Sequence, residues 1–270
     1  LLFTVVALVN AVIPNIWVVI KLVFLAMHML SVYAIYLYVQ NLTGSKYAGL
    51  AAGFAYGFAY YRYHVIVYVN KFTMVPTFLL FPLQLYLVDI VLVHAGRRRA
   101  GIGLAFVTAI ALMAHAFFGG YSAIFSAVYG VIRVLSLGET LPSTGEKFGA
   151  VKRLAFWFLI GVLSSLYFPL PPLQEVNLTV IPGWYPEGYT SPHELLDSSP
   201  WDATFTFAGS QGTGWVYGYV GISIVVLALI GGAAALISRK WQLLAPLILL
   251  GMALFSALGP FSFFLTAQGQ

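Results

Sequence analysis

Apolar residues run through this chain in long uninterrupted stretches, and polar positions gather in short clusters between them instead of alternating with them. About 20 such residues make a helix long enough to cross a hydrocarbon core about 30 Å thick, and slightly fewer suffice where the bilayer thins. The pattern predicts spans at 16–39, 47–61, 72–93, 101–118, 121–137, 154–170, 215–237 and 242–258, with 1–13 as the remnant of an earlier one. The expected fold class is therefore all-α, a polytopic transmembrane helix bundle forming one transmembrane domain over residues 1–270. The polar stretch 171–214 reads as a long external loop packed on the outer face.

Local punctuation refines the pattern. The apolar run 101–137 would be about 55 Å long as one helix, so it must fold back, and Gly119-Gly120 is where the backbone most readily allows it. Ser45 is placed to cap the helix that follows it, and Pro169, Pro171 and Pro172 end the span before the loop. Gly49, Gly53 and Gly57 recur at four-residue spacing among alanines, a row that lets helix backbones approach closely inside lipid, within the chain or between two copies of it.

Composition narrows the class further. Of 270 residues 61% are hydrophobic and 8% charged, against about a quarter charged in a soluble domain. So few charges cannot coat a water-facing shell, and with no cysteine a disulfide scaffold is excluded as well. The chain is read as an integral, multi-pass membrane protein of the plasma membrane. The first residues lack the charged front and small-residue cleavage site of a signal peptide. The chain starts without methionine and ends just after a hydrophobic run, so both ends are expected to be cut from a longer protein.

The net charge of +5 is explained by membrane sidedness, with lipids as partners and no nucleic acid. Arg97-Arg98-Arg99, Lys147 with Lys152-Arg153, and Arg239-Lys240 form three basic clusters. If all are cytoplasmic, an even number of spans separates each pair. Lys46 and Arg133 then join them inside, while Lys21, Arg62 and Lys71 lie outside.

Two external segments hold candidate chemistry. The loop 171–214 carries Glu175, Glu187, Glu194, Asp197 and Asp202 with no Lys or Arg, beside Trp184, Tyr185, Tyr189, Trp201, Phe205 and Phe207. Carboxylates that accept hydroxyl hydrogen bonds, and rings that pack against a pyranose, are what a sugar site uses; an interfacial aromatic belt uses the same rings. Trp184, Glu187, Glu194, Asp197 and Trp201 are the substrate-binding candidates from this loop, joined by Tyr61 and by His115 at the external hairpin. The second segment is Tyr60-Tyr61-Arg62-Tyr63-His64 with Asn70-Lys71. Arg62, His64 and Lys71 are candidates for holding a lipid-linked phosphate, the competing reading being cations that snorkel to headgroups. His28 reads as a neutral interhelical hydrogen-bonding group and Asp89 as a structural acid paired with His94 and Arg97. The histidines show no metal-ligand spacing and no phosphate-binding glycine loop occurs, so no metal site is assigned and a divalent cation is the one cofactor left open.

The order Leu42-Thr43-Gly44-Ser45, a Gly/Ala helix ending Phe58-Ala59-Tyr60-Tyr61-Arg62-Tyr63-His64, Asn70, and the 76–89 span resembles the GT-C-type membrane glycosyltransferases of bacteria and archaea. Ser191-Pro192-His193-Glu194-Leu195-Leu196 is similar to their long outer loop. The resemblance implies sugar transfer from a polyprenyl-phosphate-linked donor to an acceptor on the outer face, with the catalytic base in a first external loop upstream of Leu1. The catalytic residue in this chain is thus unknown, as are the sugar, the acceptor and the oligomeric state. A transporter or flippase-like carrier and a catalytically inert lipid-binding subunit are the alternatives.

The topology is tested by cysteine labelling, which the absence of native cysteine makes clean. A cysteine at Ser198 should react with an impermeant thiol reagent on intact cells. Reaction only after the cells are opened would overturn the assignment.

Overall fold

The computed structural model describes residues 2–59, 75–94, 96–137, 141, 143–167, 230–233, 237, 243, 245–248, 250 and 251. The chain divides into two compact units, Leu1–Val176 and Asn177–Gln270. Among the described residues every regular element is helical. The first unit holds α1 (Leu2–Asn10), α2 (Ile16–Thr43), α3 (Lys46–Gly57), α4 (Val75–Val93), α5 (Arg98–Ala114), α6 (Ala116–Ser136) and α7 (Thr144–Ser165). Four helices, α2, α4, α6 from Phe118 onward, and α7, are long and apolar enough to cross a membrane. Their outward faces are apolar too: Trp17 and Leu25 on α2 and Leu159 and Leu163 on α7 are more than half exposed, as lipid-facing positions are. The protein is an integral membrane protein.

Several expected boundaries shift, each for a local reason. The third helix stops at Gly57, and its 12 residues rise only about 18 Å, so within the described residues the 47–61 segment is too short to span. The expected 154–170 span begins ten residues earlier, at Thr144. Ser143 and Glu146 set that start as a capping box, Ser143 Oγ accepting from the Glu146 N–H at 3.1 Å while the Glu146 carboxylate accepts from the Ser143 N–H at 3.0 Å. The 101–137 run does fold back, but at His115, between α5 and α6. Gly119 lies one turn into α6 directly against the Ala111 carbonyl, so its missing Cβ is what lets the two helices meet at the tip. Spans 215–237 and 242–258 and the loop 171–214 fall mostly or wholly outside the described residues; 230–233 and 245–248 are helical, and Gly232 lies against Leu247.

The α2–α3 corner explains its sequence residue by residue. Gly44 ends α2 in the left-handed region with φ 72°, its N–H donating to the Gln40 carbonyl. The Thr43 hydroxyl donates to the Val39 carbonyl at 2.7 Å and accepts from the Ser45 N–H at 3.2 Å. Ser45 Oγ then accepts from the Ala48 N–H at 3.2 Å, the cap expected for α3. Gly49, Gly53 and Gly57 face α2 and are buried. A Cβ on Gly49 would lie 2.9 Å from the Tyr36 carbonyl oxygen and one on Gly53 3.1 Å from that of Val32, so the small-residue row packs within the chain. His28 sits at the far end of this seam, beside Gly57.

Helix α4 is central, with 12 of its 19 residues buried, and it packs on α2, α5, α6 and α7. Pro82 lies inside it. A proline has no N–H, so the carbonyl four residues earlier, that of Phe78, loses its helical donor. The Tyr56 hydroxyl from α3 donates to that carbonyl at 2.6 Å. A backbone acceptor that would be costly to strand in lipid is thus satisfied by the neighbouring helix.

Tyr56→Phe should therefore destabilise the protein by about 1–2 kcal/mol, read from reversible unfolding in mixed micelles. In a Pro82→Ala background, where an N–H returns to the Phe78 carbonyl, the same change should cost markedly less. Equal costs in both backgrounds would show that the tyrosine does not compensate for the proline.

Candidate functional site

The strongest polar constellation among the described residues lies between α2, α4 and α6. Asp89 of α4 is fully buried. Its Oδ1 accepts from Arg133 Nε and from the Tyr129 hydroxyl, each at 2.9 Å, and its Oδ2 accepts from Asn41 Nδ2 at 3.4 Å. Tyr129 and Arg133 sit four residues apart on α6, which brings both to one face. Arg133 also donates from Nη1 to Ser136 Oγ at 3.3 Å, and the Tyr38 ring meets the Tyr129 ring edge-on at 5.9 Å. A layer nearer the other end of α4 repeats the device without charge. Gln84 donates to Thr108 Oγ1 at 3.1 Å and accepts from Ser126 Oγ at 3.5 Å, and all three are buried.

Asp89 therefore does not pair with His94 and Arg97 as expected. Both of those residues stand exposed beyond the end of α4, whereas Asp89 points into the bundle. Arg133, counted from sequence among the cytoplasmic cations, is buried and spent on Asp89. The signal for this pair was present: Asp89 is the one acid in the 72–93 span and Arg133 the one cation in 121–137, and opposite charges inside lipid seek each other. The arrangement holds three helices in register. It offers no open metal position, and among the described residues no group of three or more His, Asp or Glu is placed to hold a metal ion.

Of the residues nominated from sequence, His115 alone is described. It is the extended residue between α5 and α6, its Nδ1 accepting from the Phe118 N–H at 3.4 Å while its ring packs edge-on against Phe118 at 4.8 Å. Its imidazole thus caps α6. Tyr61, Arg62, His64, Lys71, Trp184, Glu187, Glu194, Asp197 and Trp201 lie outside the described residues.

The bundle nevertheless fixes where their segments attach. Tyr56 at the end of α3 reaches Phe78 near the start of α4. Leu80 of α4 packs against Val107 and Ala111 of α5, with Ala114 at the edge of that cluster. The Tyr167 hydroxyl, just past α7, lies 3.7 Å from Met113 Sδ near the end of α5. The end of α3, the start of α4, the α5–α6 break with His115 and the end of α7 therefore share one end of the bundle. Segment 60–74 and the chain after 167 both leave from that end. At the opposite end His94, Arg97, Arg98 and Arg153 border one cleft, so the first two basic clusters share a side.

Comparison with protein-family models, with curated proteins and with solved structures finds no match to this chain.

The Asp89–Arg133 pair gives a sharp stability test. Arg133→Met alone strands a buried carboxylate and should cost on the order of 3–5 kcal/mol, whereas Asp89→Leu with Arg133→Met removes both charges and should recover most of that loss. Unfolding free energies of the two single variants that simply add in the double variant would refute the coupling.

Proposed function

We propose that this chain is the membrane body of a glycosyltransferase of GT-C type, transferring a sugar from a polyprenyl-phosphate-linked donor to an acceptor on the outer face. The observation that carries the reading is convergence. Segment 60–74, with Arg62, His64 and Lys71, and the acid- and aromatic-rich segment after 167 depart from the bundle end where His115 stands. Such a transfer needs two sets of groups, cations for a phosphate and carboxylates with rings for a sugar, and the chain supplies one set in each of the two stretches that begin at this end.

The chemistry follows from those groups. An acceptor hydroxyl oxygen attacks C1 of the sugar as a base takes its proton. The bond from C1 to the phosphate oxygen breaks, and its electron pair leaves with the polyprenyl phosphate. Arg62 and Lys71 stabilise the negative charge that collects there, and His64 orients the phosphate. Trp184, Trp201 and Tyr61 pack the sugar, while Glu187, Glu194 and Asp197 accept its hydroxyl hydrogens. No residue described here is assigned as that base, and the assay uses the protein in its native membrane.

Radiolabelled sugar should pass from a polyprenyl-phosphate donor to acceptor in membranes carrying that protein. Arg62→Ala should weaken donor binding by roughly ten- to a hundred-fold, the worth of a charge-assisted hydrogen bond. Arg62→Lys should restore only part of it, because a point charge lacks the planar fork. Donor affinity unchanged in both variants would assign Arg62 to the lipid interface.

A further inference from the structure

The end of the bundle opposite His115 carries a cleft of about 240 Å³ bordered by Val91 and His94 after α4, Arg97 and Arg98 at the start of α5, and Arg153, Phe156 and Trp157 of α7. Among the described residues its charge is unbalanced. The described residues include two carboxylates, Asp89 and Glu146. Asp89 is committed to Arg133, and Glu146 to the Ser143 cap. Arg153 Nε is buried and has no hydrogen-bond partner among the described residues, a charged donor withdrawn from water.

Helix α5 adds to the imbalance. Its N-terminus has no side-chain cap and no acid in the first turn, and it begins with Arg98 and Arg99. Cations there oppose the positive end of the helix dipole, where an anion is favoured. One wall of the cleft is different in kind. Trp157 packs directly on Gly101, where any Cβ would collide with the indole, and Phe156 beside it is half exposed on the apolar flank of α7. Arginines and aromatic side chains thus border one cleft beside a membrane-spanning helix.

We propose that this cleft binds the phosphate headgroup of an acidic phospholipid from the leaflet on the basic side. Arg98 and Arg153 hold the phosphate, Arg97 and His94 rim it, and Phe156 and Trp157 pack the upper acyl chain. The headgroup supplies the anion that Arg153 and the start of α5 lack, and the chains lie where the exposed face of α7 already meets lipid. A lipid wedged between the α4–α5 turn and α7 ties together elements that the polar network around Asp89 leaves unjoined at this end. The inference does not rest on the glycosyltransferase reading, since it concerns the opposite face.

Native mass spectrometry of the purified full chain with phosphatidylglycerol and phosphatidylcholine of identical acyl chains tests it. The wild type should retain phosphatidylglycerol preferentially. Arg98→Gln with Arg153→Gln should reduce that retention by at least about tenfold. Arg99→Gln with Lys147→Gln removes the same charge from the same end without touching the cleft, and should leave retention unchanged. Equal losses in the two double variants would mean diffuse surface attraction and overturn the site, and so would equal binding of both lipids by the wild type. Inorganic phosphate that binds the wild type and displaces phosphatidylglycerol completely would also overturn it, in favour of a free anion. If the first double variant does not fold, the exposed single variant Arg97→Gln, expected to lower retention several-fold, carries the same comparison.

Discussion

Three helices are phased by one carboxylate. Asp89 divides its two oxygens among Arg133 and Tyr129 of α6 and Asn41 of α2, inside a bundle where no water stands ready to replace a lost partner. A helix turned by one residue moves each side chain about 100° around the axis, which would strand the carboxylate, the guanidinium or both. The penalty for a stranded buried charge is several kcal/mol, whereas the net gain from forming the pair is small. The pair therefore acts less as glue than as a register device. It makes other rotations of α2, α4 and α6 costly while contributing modestly to the depth of the correct one.

Such short polar side chains reach one another only because the backbones come close, and glycine sets that closeness. At the α2–α3 seam Gly49 and Gly53 lie against carbonyl oxygens of α2. Gly161 of α7 sits against the Ala105 carbonyl of α5, where a Cβ would stand 2.6 Å from the oxygen. Gly130 admits Leu154 of α7 beside Val88, one residue from Asp89. Dispersion between helices rewards this contact, since hydrophobicity offers nothing to a helix leaving lipid for protein. Polar register and glycine crossings are thus one construction: the crossings bring donors and acceptors into range, and the donors and acceptors choose the rotation.

Some of this was legible in the sequence and some was not, for physical reasons. The membrane class followed from hydropathy, which is a property of each stretch alone. The cap at Ser45 and the reversal within 101–137 followed from local chemistry and from the fixed rise of a helix. Glycine permits turns, so the sequence points to Gly119-Gly120 for the reversal, yet the structure uses Gly119 for a helix contact and turns at His115, which caps α6 with its own ring. Local permissiveness does not say which of two services a glycine performs. Proximity along the chain favours His94 and Arg97 as partners of Asp89, while the true partner lies 44 residues away on another helix. The motif 42–45, read as a family mark, has a complete local account in the turn it makes, since two antiparallel helices joined at one glycine require a stop, a left-handed residue and a cap in that order.

The commitment of the interior polar groups bears on where chemistry can occur. A carrier that passes a polar substrate through its middle needs donors and acceptors lining a path and able to exchange partners. In the α4–α6 layers the side chains of Gln84, Thr108, Ser126, Asp89, Tyr129 and Arg133 are bonded to one another across helices. Opening such a path would strand a carboxylate and a guanidinium together. A bundle built this way is suited to hold still while groups at its ends do the work, and its two ends differ. One carries a cleft bordered by arginines and aromatic rings; from the other the chain continues into the stretches rich in acids, rings and tyrosines. The proposed transfer at one face and the proposed lipid site at the other both leave this interior network intact, which transit through the middle would not.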